Sequence, residues 1–324
     1  MARPWLGSGV ARASMTHTVW FLTLPGVMAL DLTGPAETLK LAGEHFTLRY
    51  IGPQPEVVCS TGMTIGGIEP LPEQLPAGSL LVVPGVYDSQ LCYATPQAGE
   101  AREWLMRQHG ALRAQTFMLV CVCSGALLAA QAGMLDDVVC TTHHDVIARL
   151  KAAAPRARVQ ENRVFVGHEN IWTSAGITAG IDLALHLINQ LCDTQTALAV
   201  AREMVVWFRR AGDDPQLSPW LRYRNHMHPA IHRAQDLMIA HPEHGWTLTE
   251  LAGRTHVSSR HLARLFRQHL GISVREYHEQ LRVGVARQRQ QQGESAEKAA
   301  LAAGFSSARQ LRRARQREAD QLTK

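Results

Sequence analysis

VCVCSGALLAAQAG, residues 120–133, decides how this chain folds. An apolar, β-rich run ends at Cys123, the chain turns through Ser124-Gly125, and an alanine-rich segment with strong helical propensity follows. A strand that passes through a glycine turn into a helix is the start of a βαβ unit. Outward from this stretch the same alternation recurs. Strand-like runs stand at 17–24, 46–52, 79–83, 115–123 and 164–167. Helical patterns stand between or after them, at 36–45, 100–110, 126–133, 144–154 and 178–192. The alternation predicts an α/β domain whose mainly parallel sheet is covered on both faces. Glycine turns follow three of the strands (PGV at 25–27 and 84–86, SGA at 124–126). In such sheets ligands sit outside the carboxyl ends of the strands, so the three turns should meet at one crevice.

A chain of 324 residues suits two domains, and 46 % hydrophobic against 19 % charged residues marks a folded chain. No apolar run reaches the length of a bilayer span. Residues 1–15 carry two arginines without a continuous apolar stretch, so they read as a disordered extension and not a signal peptide, with Met15 a candidate start. Six cysteines without CxxC spacing (59, 92, 121, 123, 140, 192) read as reduced thiols of a cytoplasmic protein. The net charge of +5 hides an asymmetry. Residues 1–219 hold 15 Lys+Arg against 19 Asp+Glu; residues 220–324 hold 18 against 9. The basic tail predicts a polyanionic partner for that part alone.

Cys123 stands where chemistry can occur. The turn resembles a nucleophile elbow, and the start of the following helix favours a thiolate. Asp31 after the first strand and His143 in CTTHHD supply a carboxylate and an imidazole of the right type. The plainer reading makes Cys123 a small buried hydrophobe and Asp31 the cap of a helix starting near Pro35. Cys121, on the same strand, is expected to point away from Cys123.

The stretches LPGVMALDLTGPAE, VVPGV, VCVCSGALLAAQAGMLD, TTHHD and TSAGITAGIDLALHLI resemble the ThiJ/PfpI-type domain of the class I glutamine-amidotransferase-like superfamily. The resemblance implies a flavodoxin-like α/β fold over residues 16–210 and a ligand pocket at Asp31, Gly85, Val86, Cys123, Ser124 and His143. Cys123 maps to the reactive cysteine, and Asp31 to the acidic residue of isonitrile-hydratase-like members. Peptidase-like members carry His where this chain has Ser124, which removes the immediate general base. His144 stands where regulator members usually have Trp. Val86 replaces the second Gly of the usual PGG, keeping a backbone N–H while narrowing the rim.

In the tail, Leu248, Leu251 and Ala252 form one short apolar stripe and Leu262, Leu265 and Phe266 another, with Val257 in the turn and Ser258 placed to cap the second helix. Two short helices so joined make a helix-turn-helix. Ser258, Ser259, Arg260, Arg264 and Arg267 fall away from the stripe, and arginine pairs bidentately with guanine in the major groove. A second unit, AEKAALAAGFSSARQLRRARQ (296–316), offers Ser306, Ser307, Arg309, Gln310, Arg312 and Arg313, with residues 274–291 as the helix between. LARLFRQHLGIS, EYHEQLR and AALAAGFSSARQLRRA resemble the AraC/XylS-type DNA-binding domain, an all-α domain with two helix-turn-helix units, here within 228–324. Gln288 and Arg289 stand where that family has an apolar pair, and Arg315 where it has Phe, so the second unit is expected to be weaker.

Residues 211–227 read as a linker, broken by Gly212, Pro215 and Pro219. The preceding helix carries Ala197, Val200, Ala201, Met204 and Val205 on one side, to pack on its own domain or on a dimer partner. The whole chain resembles regulators that join a ThiJ/PfpI-type sensor to an AraC-type reader. That resemblance implies a cytoplasmic transcription regulator, usually an activator of catabolic genes, with double-stranded DNA, a small nitrogenous effector, RNA polymerase and a second copy of the chain as partners. It implies no metal or cofactor. A Cys123-dependent enzyme of hydratase or deglycase type, and a thiol redox sensor, are the alternatives.

Overall fold

The computed structural model describes residues 16–206, 210–212, 216, 223, 226, 228–291 and 293–322; the expected extension 1–15 and most of the expected linker lie outside them. The chain divides into two compact units after Gln216.

The N-terminal unit begins with β1 (His17–Leu22), α1 (Ala29–Leu41), β2 (Phe46–Ile51), β3 (Glu56–Val58), β4 (Thr64–Gly66) and β5 (Leu80–Val83). It continues through α2 (Ser89–Cys92), α3 (Pro96–Arg113), β6 (Met118–Val122), α4 (Gly125–Gln131), β7 (Val139–Cys140), α5 (Ile147–Ala153) and β8 (Arg158–Val159). β9 (Phe165–His168), β10 (Ile171–Ser174), α6 (Ala179–Leu191) and α7 (Thr194–Glu203) complete it. The main sheet runs β2-β1-β5-β6-β10-β9. Every pairing is parallel except that of β10 with β9. This is the flavodoxin-like order, with its switch point between β1 and β5.

Side-chain alternation builds the two layers. Trp20, Leu22, Leu81, Val83, Leu119 and Cys121 face α3, α4 and α5. Val19, Phe21, Leu80, Val82, Met118, Val120 and Val122 face α1, α6 and α7. Strand alternation alone would place Cys121 and Cys123 on the same face, contrary to the expectation above. They do end on opposite faces, because Cys123 lies past the strand end at φ +56° and joins the cluster with Val122.

The short elements β3, β4, α2, β7, β8 and β10 were not read in the sequence, Asp31 is placed differently from its expected cap, and α7 takes one of its two expected packings. β10 lies between β6 and β9 and went unread because its four residues, IWTS, end in two hydroxyls and lack the continuous apolar run of the equally short β5, LLVV. α1 starts at Ala29, so Asp31 lies in its first turn and caps nothing near Pro35. α7 packs Ala197, Val200 and Ala201 into its own unit, while Val205 is 84 % exposed.

The C-terminal unit is helical: α8 (Pro229–Ala240), α9 (Leu248–Thr255), α10 (Ser259–Leu270), α11 (Val274–Gln291), α12 (Ala296–Ala302) and α13 (Ala308–Leu322). Side-chain oxygens of Thr247, Ser258 and Ser295 cap α9, α10 and α12. Ser273 and Glu276 form a reciprocal capping box at the start of α11. The stripes of α9 and α10 bury against α8, which the sequence reading left undescribed. α12 and α13 bury a separate cluster against the second half of α11.

Candidate functional site

The three glycine turns do meet. Val27 bridges Val86, Met28 N–H donates to Gly85 O (2.8 Å), and Tyr87 N–H donates to Gly26 O (2.8 Å). Asp31 comes from the first turn of α1, which follows β1, while Gly85 follows β5, Cys123 and Ser124 follow β6, and Gly176-Ile177 follow β10, all beyond the carboxyl ends of parallel strands. The packing is close enough to demand glycine. A Cβ on Gly85 would lie 2.6 Å from Asp31 Oδ2, 2.8 Å from Cys123 Cβ and 2.9 Å from Ser124 Oγ. Gly176, at φ +84°, would put a Cβ 2.0 Å from that of Cys123.

Asp31 is fully buried. Its Oδ1 accepts the Ile177 N–H at 2.5 Å, while Oδ2 has no hydrogen-bond partner among the described residues. Burial pushes its pKa up to about 6, against the lowering effect of the Ile177 N–H, the Cys123 thiol and the Gly85 N–H beside it. Ile177 reaches the carboxylate only by adopting φ +51°, a strained conformation for a β-branched residue. Neither Gly176 nor Ile177 was singled out in the sequence, though both lie in the TSAGITAG stretch; spacing gives no sign of a left-handed isoleucine.

The thiolate expected at Cys123 is not what the structure provides. The residue is 7 % exposed, and burial first, then the Asp31 carboxylate, push its thiol well above the ordinary cysteine range. The seven-residue helix α4 does not offset this. The Val86 N–H, which the replacement of Gly was expected to keep, donates to Ser124 Oγ at 3.0 Å. The residue that replaces a base therefore also occupies the donor that would hold an anion. The rest of the elbow is satisfied internally: Cys123 N–H donates to Ser174 O (3.0 Å), Thr142 Oγ1 to Cys123 O (2.8 Å) and Tyr93 Oη to Ser124 O (3.0 Å).

His143 does not hydrogen-bond to Cys123 among the described residues. Its ring lies 4.2 Å from that of His144, and its Nδ1 accepts the Asp145 N–H. Burial lowers its pKa, and His144 adds to the effect. His143, His144 and Asp145 bring one ligand atom each within 4.8 Å of the others, an arrangement able to hold a divalent cation.

In the C-terminal unit, Arg260 and Arg264 stand exposed on α10, and Arg309, Arg312 and Arg313 on α13. Other candidates have structural partners. Ser258 and Ser307 accept backbone N–H groups at helix starts. Ser306 donates through N–H and Oγ to Gln310 Oε1. Arg267 pairs with Glu276 at 3.1 Å and donates to Gly271 O at 3.3 Å.

No described helix is long and apolar enough to cross a membrane. Residues 17–190 match the DJ-1/PfpI family and residues 251–322 a helix-turn-helix domain. The HTH-type transcriptional regulator CdhR of Pseudomonas aeruginosa is 31 % identical over 306 residues, covering 90 % of this chain and 86 % of the relative. An isonitrile hydratase of Pseudomonas putida is 31 % identical over 204 residues, 59 % of this chain and 78 % of that protein. The solved structure of a ThiJ/PfpI family protein of Pseudomonas syringae is similar in fold, with TM-score 0.52 at 22 % identity over 73 % of this chain and 88 % of that one. The likeness to CdhR runs through both units. This chain belongs to the DJ-1/PfpI family and to the AraC-type helix-turn-helix regulators: it is a DNA-binding transcriptional regulator with an N-terminal effector domain.

Proposed function

We propose that the crevice at Asp31 and Cys123 binds a small, cationic, nitrogen-bearing metabolite, and that its occupancy controls activation of catabolic genes. The observation that carries this is Asp31 Oδ2, a buried carboxylate oxygen that lies beside the Cys123 thiol and the Gly85 N–H but has no hydrogen bond of good geometry among the described residues. Such an atom is costly until a donor meets it, and an ammonium or similar group is the donor that also supplies the opposing charge. Turnover is not part of this reading. The thiol is held protonated, and Ser124 Oγ engages the donor that would stabilise an anion. The effector test is a thermal-shift panel of amines and amino acids against neutral isosteres. Amines should raise the melting temperature of wild type and not of Asp31→Asn. Their affinity should fall below about pH 6, where the proton competes for the carboxylate. Equal stabilisation of both proteins would reject the pocket.

On the DNA side, Ser259, Arg260 and Arg264 read bases, and Arg309, Arg312 and Arg313 hold phosphates. The family likeness further supports a cytoplasmic homodimer acting with RNA polymerase. Selection of sheared genomic DNA by the purified protein, at near-physiological salt, tests the reader. A few promoters with a shared motif are expected; broad enrichment that vanishes with modest salt would reject sequence-specific control.

A second reading is favoured by the likeness to isonitrile hydratase and by the Asp31–Cys123 juxtaposition: a cysteine-dependent hydratase. Hydration of an isonitrile by wild type and not by Cys123→Ala would establish it.

A further inference from the structure

We propose that Thr142 and Gln216 are positioning residues that tie the elbow to the segment leading into the DNA-binding unit, and so report the state of the crevice. The proposal rests on reading that crevice as the effector site. Thr142 is wholly buried. Its hydroxyl donates to Cys123 O at 2.8 Å, and its own carbonyl accepts Gln216 Nε2 at 2.7 Å. Gln216 is the last residue of the N-terminal unit, and the chain enters the DNA-binding unit at the next position. A single residue therefore separates the elbow carbonyl from the exit of the sensor.

The backbone leading into Thr142 is held by its neighbour Thr141. Thr141 N–H donates to Thr173 Oγ1 at 2.8 Å, and Thr141 Oγ1 donates to Gln160 O at 2.7 Å. Displacement of Cys123 O is thus passed on by a short crosspiece with little freedom to absorb it. Cys123 itself is at φ +56°, a conformation that persists only while its surroundings impose it. A ligand that alters those surroundings acts on the crosspiece directly.

Among the described residues the exit segment is also anchored on the same unit through Arg210 and Gly212, in contacts that do not involve Cys123 or Ser124, although Arg210 Nη2 also reaches Thr178 Oγ1, next to Ile177. Arg210 Nε donates to Asp182 Oδ2 at 2.9 Å, and Phe165 N–H donates to Gly212 O at 3.4 Å. Gln216 differs from them in one respect. Its Oε1 is buried with no hydrogen-bond partner among the described residues. One end of the amide is satisfied and the other is not, so this anchor is held with little surplus. A ligand needs only a modest preference for the docked or the released arrangement to shift it.

The test uses iodoacetamide labelling of Cys123 in the full-length protein, followed peptide by peptide, with the buried Cys121 and Cys140 as internal references. Gln216→Glu keeps the side-chain shape but presents an acceptor to the Thr142 carbonyl; Gln216→Ala removes the contact; Thr142→Val removes the hydroxyl and Thr142→Ser retains it. Gln216→Glu, Gln216→Ala and Thr142→Val are expected to label at Cys123 about tenfold faster than wild type, with Thr142→Ser within about twofold. The Gln216 variants are also expected to change affinity for the genomic fragments retained by wild type by about threefold or more. Unchanged labelling at Cys123 in both Gln216 variants would overturn the proposal. So would a rise shared by Cys121 and Cys140, which is general loosening, or faster labelling with unchanged DNA affinity. The labelling requires no effector, so a failed effector screen leaves the test intact.

Discussion

The two helix-turn-helix units share one plan and differ in what holds them. The first buries Ile231, Met238, Leu251, Leu262, Leu265, Phe266, Tyr277 and Leu281, with Phe266 and Tyr223 both edge-on to Tyr277 at 5.9 and 5.7 Å. Of the second unit's eight buried core residues among those described, five are alanines, beside Val283, Phe305 and Leu311. Polar contacts join α11 and α13, one of them made by Arg315. Glu279 accepts two bonds from Arg317 (2.9 and 2.8 Å), Glu318 pairs with Arg287 at 3.2 Å, and Gln290 accepts from Arg315. The Arg317–Glu279 pair, with its arginine half exposed, contributes less than buried apolar groups do, whereas Arg287–Glu318 is more shielded. The difference teaches that a shared sequence plan can be kept with a reduced core if the helices are tied at their rims.

The largest expected effect separates the cores. Phe266→Ala should cost about 3–5 kcal/mol and strip hydrogen-exchange protection from α9 and α10. Phe305→Ala should strip only α12 and α13, leaving the first unit protected. If either truncation opens both units together, they form one cooperative body and the comparison fails.

Acid should narrow the difference. His278 is 8 % exposed, and its Nε2 lies 2.8 Å from Pro242 O. Burial first, then Arg282, hold its pKa at about 4. The unfolded chain titrates near 6.5, so between those values the unfolded state binds the proton more readily. Stability is therefore full above about pH 6.5 and falls as pH drops toward 4, by up to about 3 kcal/mol. The chain has no histidine beyond His278, so the second unit lacks an equivalent loss. Urea denaturation of wild type and His278→Gln at pH 7.5 and 5 checks this; equal acid sensitivity of the two proteins would contradict it.

On DNA, the sharper core should carry the sharper reading. Arg260→Ala should remove about 1–3 kcal/mol of discrimination at one base position. Arg312→Ala should weaken binding to all sequences and reduce the salt slope by about 1. Equal loss of discrimination from both would show that the rim-tied unit reads bases as well as the packed one.

Much of this contrast was legible in the sequence because helical periodicity over eight or more residues is a strong signal. The stripes of α9 and α10 and the span of α11 were readable from periodicity, and Gln288, Arg289 and Arg315 only as departures from the family that the tail resembles. The sensor was legible only as an architecture. The alternation of strands and helices and the meeting of three glycine turns followed from spacing. What the elbow does with its groups did not, because that depends on contacts distant in sequence. The Ile177 N–H meets a carboxylate 146 positions away, and Ser124 Oγ takes a donor 38 positions away. Likewise, β10 lacked the continuous apolar run that would have announced it, and a left-handed Cys123 reversed the side that alternation assigns.

The smallest expected effect tests the rim itself. A double-mutant cycle on Glu279 and Arg317 should give a coupling of about 0.2–1 kcal/mol in the stability of the second unit. It should shrink as salt rises, because the arginine is half exposed and within reach of counterions. A coupling that salt does not weaken would mean that the pair is shielded and acts as part of the core. A coupling of zero would leave the alanine contacts of α12 as the main support of the second unit. Lengthening one of them, Ala300→Val, would then stabilise that unit if space allows and unfold it if the packing is already closed.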